Sequence, residues 1–305
     1  TEAKELGISL AIGEAEAALS PGQPFMETIL RDALHGGMQP VYEQSENPEI
    51  GAGVMPQVLP EYQQLMMNPT MATLESSRGC PYPCAFCTIR TIGGTKVRPR
   101  DPEHMEEAMR ENWQLGIRDI FITDDNFAKS AQRFAVLAMF VRLREEGMPF
   151  ALMIQVDTRA TVGNEGRKFL DLCAQAGVYT VFLGVESVDP QVLNEMGKKQ
   201  NKPEEYEEVV AAWHSKNIMT QCGFIIGNRN DSAGVGRRSA RALVEMGMDV
   251  AAAYILAPLP GSLDYHLLHE EGAIINADFD VYDCHSAACI QFEGGLTPAQ
   301  VRCEY

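Results

Sequence analysis

Three of the eight cysteines in the 305-residue chain lie within eight residues, at Cys80, Cys84 and Cys87. Such close spacing is typical of metal or redox sites and does not suit a disulfide framework. Three thiolates in one loop can bind three corners of a cubane iron–sulfur cluster, and Pro81 and Pro83 stiffen that loop. The fourth iron then has no protein ligand and can accept the amine and carboxylate of a small molecule. The loop therefore predicts a [4Fe–4S] cluster with one open iron.

Two other metal sites are alternatives for the same loop. A structural zinc site needs a fourth ligand, and the nearest candidate, His104, falls in a predicted helix. A four-cysteine electron-transfer cluster would need a distant ligand such as Cys222 or Cys284. The tail cysteines Cys284, Cys289 and Cys303 are loosely spaced, so we expect buried or free thiols there in preference to a second cluster.

The residues after position 70 alternate between short apolar strands and amphipathic helices. The predicted strands are 72–76, 119–123, 151–156, 180–185, 219–226 and 250–256. The predicted helices are 133–146, 165–176, 203–215 and 235–246, with one more that begins at Asp101 as its N-cap. Six such units imply an α/β fold with a parallel sheet covered by helices. We predict a partial (β/α)6 TIM-like barrel, with a doubly wound sheet as the alternative. In both folds the functional face lies at the carboxyl ends of the strands.

Proline content and the strand–helix pattern divide the chain into three parts. Residues 1–70 contain seven prolines, including Pro21 and Pro56, and are predicted to be an irregular N-terminal segment, a linker or the remnant of a preceding domain. One helix is predicted over residues 24–35. Residues 71–265 form the barrel core, and residues 266–305 a small C-terminal extension.

Charge and hydropathy narrow the range of partners. The formal net charge is −17 and the sequence pI is about 4.8, so the surface repels nucleic acid. No run of eighteen apolar residues is present, which argues against a membrane span. Clustered cysteines without a visible signal peptide predict a reducing, cytoplasmic location.

Polar residues end three of the predicted strands. Asp124 and Asp125 follow the second strand, Gln155 ends the third, and Glu186 and Ser187 close the fourth. An ionised glutamate after so apolar a strand needs a polar partner. Contact with a ligand is one interpretation of the two aspartates, and a helix N-cap or a solvated turn is the other. Both interpretations stay open. Lys198 and Lys199 are expected to be solvated.

The Cys-x-x-x-Cys-x-aromatic-Cys loop, with Phe86 as its aromatic residue, resembles the signature of the radical S-adenosylmethionine (SAM) superfamily. The resemblance extends over about residues 70–300. Its further segments are Ser-Arg-Gly-Cys-Pro at 77–81, Asp-Asp-Asn-Phe at 124–127, Gly-Val-Glu-Ser at 184–187 and Pro-Leu-Pro-Gly-Ser at 258–262. Together these resemble the branch that includes the cobalamin-binding radical enzymes and the methylthiotransferase-like proteins.

The resemblance implies a role for each strand end. The acidic end of the second strand would hold the ammonium of SAM, and Glu186 its ribose or amino group. Phe224 to Gly227 would approach adenine, although Asn-Arg-Asn-Asp at 228–231 departs from the usual sequence there. The full set of residues expected around the cofactor is Phe86, Asp124, Asp125, Gln155, Glu186, Ser187, Phe224 and Gly227. Met153, Phe127 and Tyr254 would suit a barrel mouth that takes an apolar or mixed substrate, but such residues are more often core.

The resemblance also implies an enzyme that cleaves SAM reductively and modifies an unactivated carbon by methylation, cyclisation or another C–C or C–S bond formation. A small-molecule or lipid-like substrate and a low-potential electron donor, such as flavodoxin or ferredoxin, would be its partners. Residues 12–16 resemble the end of a cobalamin-binding domain. The Asp-x-His-x-x-Gly signature is absent, because the segment from Asp264 to His269 lacks the glycine. Only an upstream domain would supply cobalamin. A non-catalytic electron-transfer protein is the alternative function.

Overall fold

A six-stranded parallel sheet forms the centre of the computed structural model, which describes residues 6–20, 23–51, 55 and 58–305. Pro21 and Pro56 lie outside the described residues. The strands are β1 (Leu10–Ile12), β2 (Ala18–Ser20), β3 (Gln23–Pro24), β4 (Val41–Glu43), β5 (Met71–Leu74), β6 (Ser77–Arg78), β7 (Arg98–Pro99), β8 (Asp119–Ile122), β9 (Ala151–Val156), β10 (Val178–Glu186), β11 (Met219–Ile226) and β12 (Val250–Ile255).

Helices connect these strands along the chain. They are α1 (Phe25–His35), α2 (Pro60–Gln63), α3 (Ile89–Ile92), α4 (Pro102–Gln114), α5 (Arg133–Glu145), α6 (Gly163–Ala176), α7 (Pro190–Glu195), α8 (Tyr206–His214), α9 (Val235–Glu245), α10 (Leu263–Glu270) and α11 (Pro298–Glu304). Short 3-10 turns cover Phe127–Lys129, Pro203–Glu205 and Phe279–Val281. No helix in the described ranges is both long enough and apolar enough to cross a bilayer.

The strand order distinguishes the two predicted folds. Along the large sheet the order is β5, β8, β9, β10, β11, β12, and every neighbouring pair is parallel. A doubly wound sheet reverses its strand order at a switch point. This sheet never reverses, so the partial (β/α)6 barrel is confirmed and the doubly wound alternative is wrong.

Alternation along each strand separates a helix-covered face from the barrel interior. In β9, Leu152, Ile154 and Val156 are buried in the main core with the helices, whereas Met153 and Gln155 are partly exposed. Successive side chains of a strand point to opposite faces. The partly exposed residues therefore point into the interior, where space remains at the carboxyl ends of the strands.

Several element boundaries and one helix cap differ from the prediction. The first barrel strand ends at Leu74, because the following residues turn away and Ser77–Arg78 pairs antiparallel with Arg98–Pro99. Asp101 occupies the N-cap position of α4, but its side chain accepts no hydrogen bond from the helix. The helix predicted over 203–215 begins as a 3-10 turn, with α8 starting at Tyr206.

The N-terminal segment has more regular structure than its prolines predict. β1 pairs parallel with β4, and α1 lies between them in sequence, which makes a small β-α-β unit. Phe25 and Tyr42 form its core with Ala17. The division of the chain at residue 70 stays a prediction.

The C-terminal extension contacts the carboxyl end of β12. The amide of Ile255 donates to the carbonyl of Cys284 over 2.7 Å. The carboxylate of Glu304 accepts from the amides of Gly234 and Gly236, at 2.5 and 3.0 Å, which fixes α11 at the start of α9. The extension is therefore bound to the last barrel unit.

Candidate active site

The cysteine loop is attached to the barrel by backbone hydrogen bonds at both ends. The amide of Cys80 donates to the carbonyl of Gly94 over 3.1 Å, and that of Ala85 to the carbonyl of Met196 over 2.9 Å. Gly79 has a φ of +99°, and a Cβ on it would lie 2.5 Å from the carbonyl oxygen of Lys96. Only glycine therefore fits directly before the first cysteine of the loop.

The three cysteines of the loop line one cavity of about 150 Å³ at the carboxyl ends of the strands. Cys80, Cys84 and Cys87 are free and partly exposed thiols. Burial raises the pKa of all three, that of Cys84 to about 11, while the nearby Lys198 ammonium acts in the opposite direction. Iron must therefore displace protons from these thiols, as in other thiolate sites.

The arrangement of the three thiols fits a cubane. Within the described ranges, no three His, Cys, Asp or Glu side chains converge on a point suited to a single metal ion. A cubane binds each thiolate through a different iron, so its ligands need to surround a volume and not a point. The donor set of three thiols around one cavity meets that need.

Asp124 and Asp125 are neighbours in sequence but point to opposite sides. Asp124 is fully buried, and its carboxylate accepts hydrogen bonds from the Ser76 amide (2.6 Å), the Ser76 hydroxyl (2.7 Å) and the Ser77 hydroxyl (2.5 Å). It lies outside the cavity and holds the start of the cysteine loop instead. Asp125 lines the cavity and accepts from the Gly79 amide over 2.6 Å. The pair thus combines one loop-holding carboxylate with one that faces the cavity.

The end of β9 supplies an amide and a second carboxylate to the same cavity. Gln155 lines it, and its side chain donates to the carbonyl of Asp124 over 2.8 Å. Asp157 also lines the cavity and is buried. Its carboxylate accepts from Asn126 at 3.0 Å and pairs with Lys129 at 3.1 Å.

The end of β10 places Glu186 in the cavity by an irregular backbone. Glu186 pairs with Phe224 of β11 after a register shift, at which β10 has one residue more than β11 between successive pairs. Its φ is +61°, a conformation rare for residues other than glycine. Bulges and such conformations often redirect a side chain beside an active site. The carboxylate of Glu186 consequently faces the cysteines.

The expectation that Lys198 is solvated is wrong. Its side chain is 8% exposed, and its ammonium lies 2.9 Å from Glu186 and 3.2 Å from the carbonyl of Gly184. A Cβ on Gly184 would come within 2.8 Å of the Lys198 nitrogen. The polar partner that Glu186 was expected to need is therefore a lysine of the protein, and Gly184 leaves room for it.

Three further predicted cofactor contacts lie outside the cavity of the cysteines. Ser187 is buried and accepts the amide of Asp189 at 3.0 Å, ahead of α7. Phe224 is packed in the main core beneath the helices. The amide of Gly227 donates to Asp231, and a Cβ added to Gly227 would lie 3.3 Å from the side chain of Val301 in α11. Contact of these residues with a cofactor stays untested, but none of them lines this cavity.

The remaining aromatic and sulfur residues divide between core and site. Phe86 lines the cavity of the cysteines, as does Phe182 on β10. Phe127, a candidate for either the barrel mouth or the core, is fully buried in the core. Cys222 and Cys289 are buried, whereas Cys303 is exposed.

A model of the radical SAM superfamily matches residues 74–233, which is more than half of the chain. The chain belongs to the radical SAM superfamily. Its membership confirms the family predicted from the cysteine loop and implies a [4Fe–4S] cluster and SAM as cofactors. It also favours an enzyme over the electron-transfer alternative.

Two curated relatives and one solved structure illustrate the likeness of this radical SAM chain. It is 24% identical over 220 residues to an uncharacterised methyltransferase of Synechocystis, covering 72% of this chain and 41% of that protein. It is 28% identical over 210 residues to the hopanoid C-2 methylase of Rhodopseudomonas palustris, covering 68% and 40%. The chain thus spans well under half the length of these two relatives.

The fold resembles that of a solved radical SAM methyltransferase, TsrM from Kitasatospora setae, which was determined with cobalamin and a [4Fe–4S] cluster bound. The TM-score is 0.58 at 21% identity, covering 68% of this chain and 41% of TsrM. At that identity the likeness supports the partial barrel of this radical SAM chain and nothing finer.

Proposed function

We propose that this chain is the catalytic barrel of a radical SAM enzyme that cleaves SAM reductively and modifies an unactivated carbon of a small-molecule substrate. One observation carries the proposal. Cys80, Cys84 and Cys87 line the same cavity as Asp125, Gln155 and Glu186, at the carboxyl ends of four barrel strands. The cavity thus offers three iron ligands beside carboxylate and amide groups suited to a bound amino acid and ribose.

Each of these side chains has a distinct task in the proposal. The three thiolates hold the cluster, which with SAM supplies one-electron cleavage of a carbon–sulfur bond. The carboxylate of Asp125 attracts the ammonium of SAM, and the Gln155 amide lies beside it. Glu186 accepts hydrogen bonds from ribose hydroxyls or the amino group. Phe86 supplies an apolar wall beside the three thiols.

Cobalamin enters the proposal only through a domain that these residues do not contain. The signature Asp-x-His-x-x-Gly is absent, and the segment from Asp264 to His269 lies in and around α10, far along the chain from the N-terminal unit. We therefore derive no step through cobalamin. The unit formed by β1, α1 and β4 is proposed to be the end of a preceding α/β domain. The proposed parts of the chain are this N-terminal segment (residues 1–70), the barrel (71–265) and the C-terminal extension (266–305).

The proposed enzyme works in a reducing, cytoplasmic compartment with a low-potential electron donor such as flavodoxin or ferredoxin. All eight cysteines are free thiols, which supports the compartment. The donor follows from the electron balance, because every reductive cleavage consumes one electron.

Anaerobic reconstitution with iron and sulfide, followed by dithionite and SAM, tests the proposal. The expected products are 5′-deoxyadenosine and methionine, measured by mass spectrometry. Cys84→Ala should lose iron and both products, while Cys303→Ala, at an exposed cysteine outside the loop, should retain them. Absence of either product from the fully reconstituted chain would refute the enzymatic proposal. An EPR spectrum that SAM leaves unchanged would instead support electron transfer.

A further inference from the structure

A second cavity, of about 210 Å³, lies inside the barrel next to the cavity of the cysteines. The two cavities share Phe86, Phe182 and Glu186 as lining residues. We call the second one the apolar chamber. Its other lining residues are Gly223, Ile225, Tyr254, Ile255, Leu256, Ala257, Leu259 and Cys284. Anything bound in the apolar chamber would therefore lie beside the proposed SAM site.

The space in the apolar chamber depends on a glycine between two aromatic rings. Phe182, Gly223 and Tyr254 belong to the consecutive strands β10, β11 and β12. A Cβ on Gly223 would lie 2.9 Å from the Tyr254 ring and 3.3 Å from the Phe182 ring. A side chain at this position would therefore occupy the room that the two rings enclose.

The walls of the apolar chamber are nearly uncharged. Glu186 is the one ionisable carboxylate or ammonium among the lining residues, and it is already paired with Lys198 at 2.9 Å. The hydroxyl of Tyr254 and the thiol of Cys284 have no hydrogen-bond partner in the part of the chain that the structure describes. A charged ligand would lose its hydration here without gaining a counter-ion. An apolar ligand with one hydrogen-bonding atom would suffer no such loss.

The C-terminal extension closes the apolar chamber on the side of β12. Cys284 lines the chamber, and its carbonyl accepts the amide of Ile255 over 2.7 Å. The ring of His285 lies 5.2 Å from the ring of Tyr254. The chamber is therefore bounded by both the barrel and the C-terminal extension.

We propose that the apolar chamber binds the reacting part of the substrate, and that this part is an uncharged, ring-containing hydrocarbon group with one hydrogen-bonding atom directed at Tyr254. An apolar cavity of roughly 150 Å³ accommodates a benzene ring, so this chamber accommodates a group of one to two rings. The inference rests on the proposed function for the position of the reacting carbon. The size and polarity of the group follow from the chamber alone.

The test measures the binding of two probes, naphthalene and 2-naphthol, to the reconstituted full chain by fluorescence. Both should bind, and the hydroxyl should give 2-naphthol a preference of up to about tenfold through a hydrogen bond to Tyr254. Tyr254→Phe should abolish that preference and leave naphthalene binding unchanged. Tyr265→Phe is the matched control, because it removes a hydroxyl outside the chamber and should leave the preference intact.

Two filling variants test the position of the probes. Gly223→Val and Leu259→Trp should each weaken both probes more than tenfold, while circular dichroism establishes that the variants are folded. Probe binding that neither folded variant weakens would overturn the proposal, as would an absence of binding to the unmodified chain. Tighter binding of 2-naphthoate than of 2-naphthol would overturn the uncharged class.

The same samples separate this inference from the proposed function. SAM cleavage without probe binding would refute the apolar chamber and leave the radical SAM activity standing. Probe binding without SAM cleavage would retain the chamber as a binding site and refute its link to radical chemistry.

Discussion

The ammonium of Lys198 lies 2.9 Å from the carboxylate of Glu186, and both side chains are largely buried, at 8% and 14% exposure. The pair joins the irregular end of β10 to the segment after α7. That same segment accepts the amide of Ala85 through the carbonyl of Met196. A single ion pair therefore connects the proposed SAM-binding strand to the support of the cysteine loop.

Removing the cation of this pair should destabilise the fold strongly. Lys198→Met leaves Glu186 buried and unpaired, which typically lowers the free energy of unfolding by about 3–5 kcal/mol. The double variant Lys198→Met with Glu186→Gln should recover much of that loss, because no charge then stays uncompensated. Urea denaturation of the single and double variants measures both values. Additive effects of the two substitutions would contradict the coupling.

Substitution of Gly79 should disrupt the cysteine loop itself. A Cβ there would lie 2.5 Å from the Lys96 carbonyl oxygen, so Gly79→Ala must displace the backbone before Cys80. We expect an iron content well below that of the unmodified chain after reconstitution. Gly116→Ala is the matched control, because Gly116 has a similar φ of +84° but nothing within 4 Å of the added carbon. It should cost about 1 kcal/mol and retain full iron content.

The carboxyl group of Asp124 should make stability depend on pH. Burial raises its pKa from the ordinary 3.8 to about 6, against the hydrogen bonds from Ser77 and Ser76. The folded state then binds a proton more tightly than the unfolded state, so its stability falls as the pH rises from about 4 to about 6. Relative to Asp124→Asn, the unmodified chain should lose about 3 kcal/mol between pH 4 and pH 7. Unfolding curves at both pH values measure this, and parallel behaviour of the two proteins would disprove it.

The N-terminal segment should contribute to the stability of the barrel through Glu14. Its carboxylate pairs with Arg98, which is 2% exposed, over 2.5 Å and also contacts Arg78. Glu14→Gln removes the shared charge and should lower the free energy of unfolding by about 3–5 kcal/mol. Glu27→Gln breaks an exposed pair with Arg31 on α1 and should cost no more than about 0.5 kcal/mol. Equal losses in urea denaturation would show that burial of the Glu14 pair has no special effect.

The sequence predicts the barrel well because its strands carry a continuous apolar signal. β9 and β11 have the predicted bounds, and the glycine that ends α6, Gly177, has the left-handed φ of +98° expected of a helix C-terminus. Local sequence also identifies the three cysteines. These features depend on residues close together in the chain, where propensity and spacing suffice.

The orientation of side chains at the strand ends was harder to predict, because it depends on strand parity and on long-range pairing. Asp125 faces the cavity and Asp124 the core, although the two residues are chemically equivalent in the sequence. In β11 the same alternation buries Phe224 and leaves its neighbour Ile225 in the apolar chamber. Counting alternate residues from one of known orientation would have predicted these side-chain directions, since alternate residues of a strand share a face.

Lys198 gave no local signal at all. Its burial results from the bulge in β10 and from the turn after α7, neither of which is visible in the residues around it. The one available hint was Gly184 within an apolar strand, since such a glycine often marks a close approach of another group.

The unreversed order of the barrel strands also has a consequence for biosynthesis. Each barrel strand pairs with the barrel strand that precedes it in sequence, so the sheet can extend in one direction as the chain leaves the ribosome. The cysteine loop emerges with the first of these strands, whereas Glu186 and Lys198 emerge only with and after the fourth. The three thiols therefore leave the ribosome before the carboxylate and the ammonium that complete the walls of their cavity.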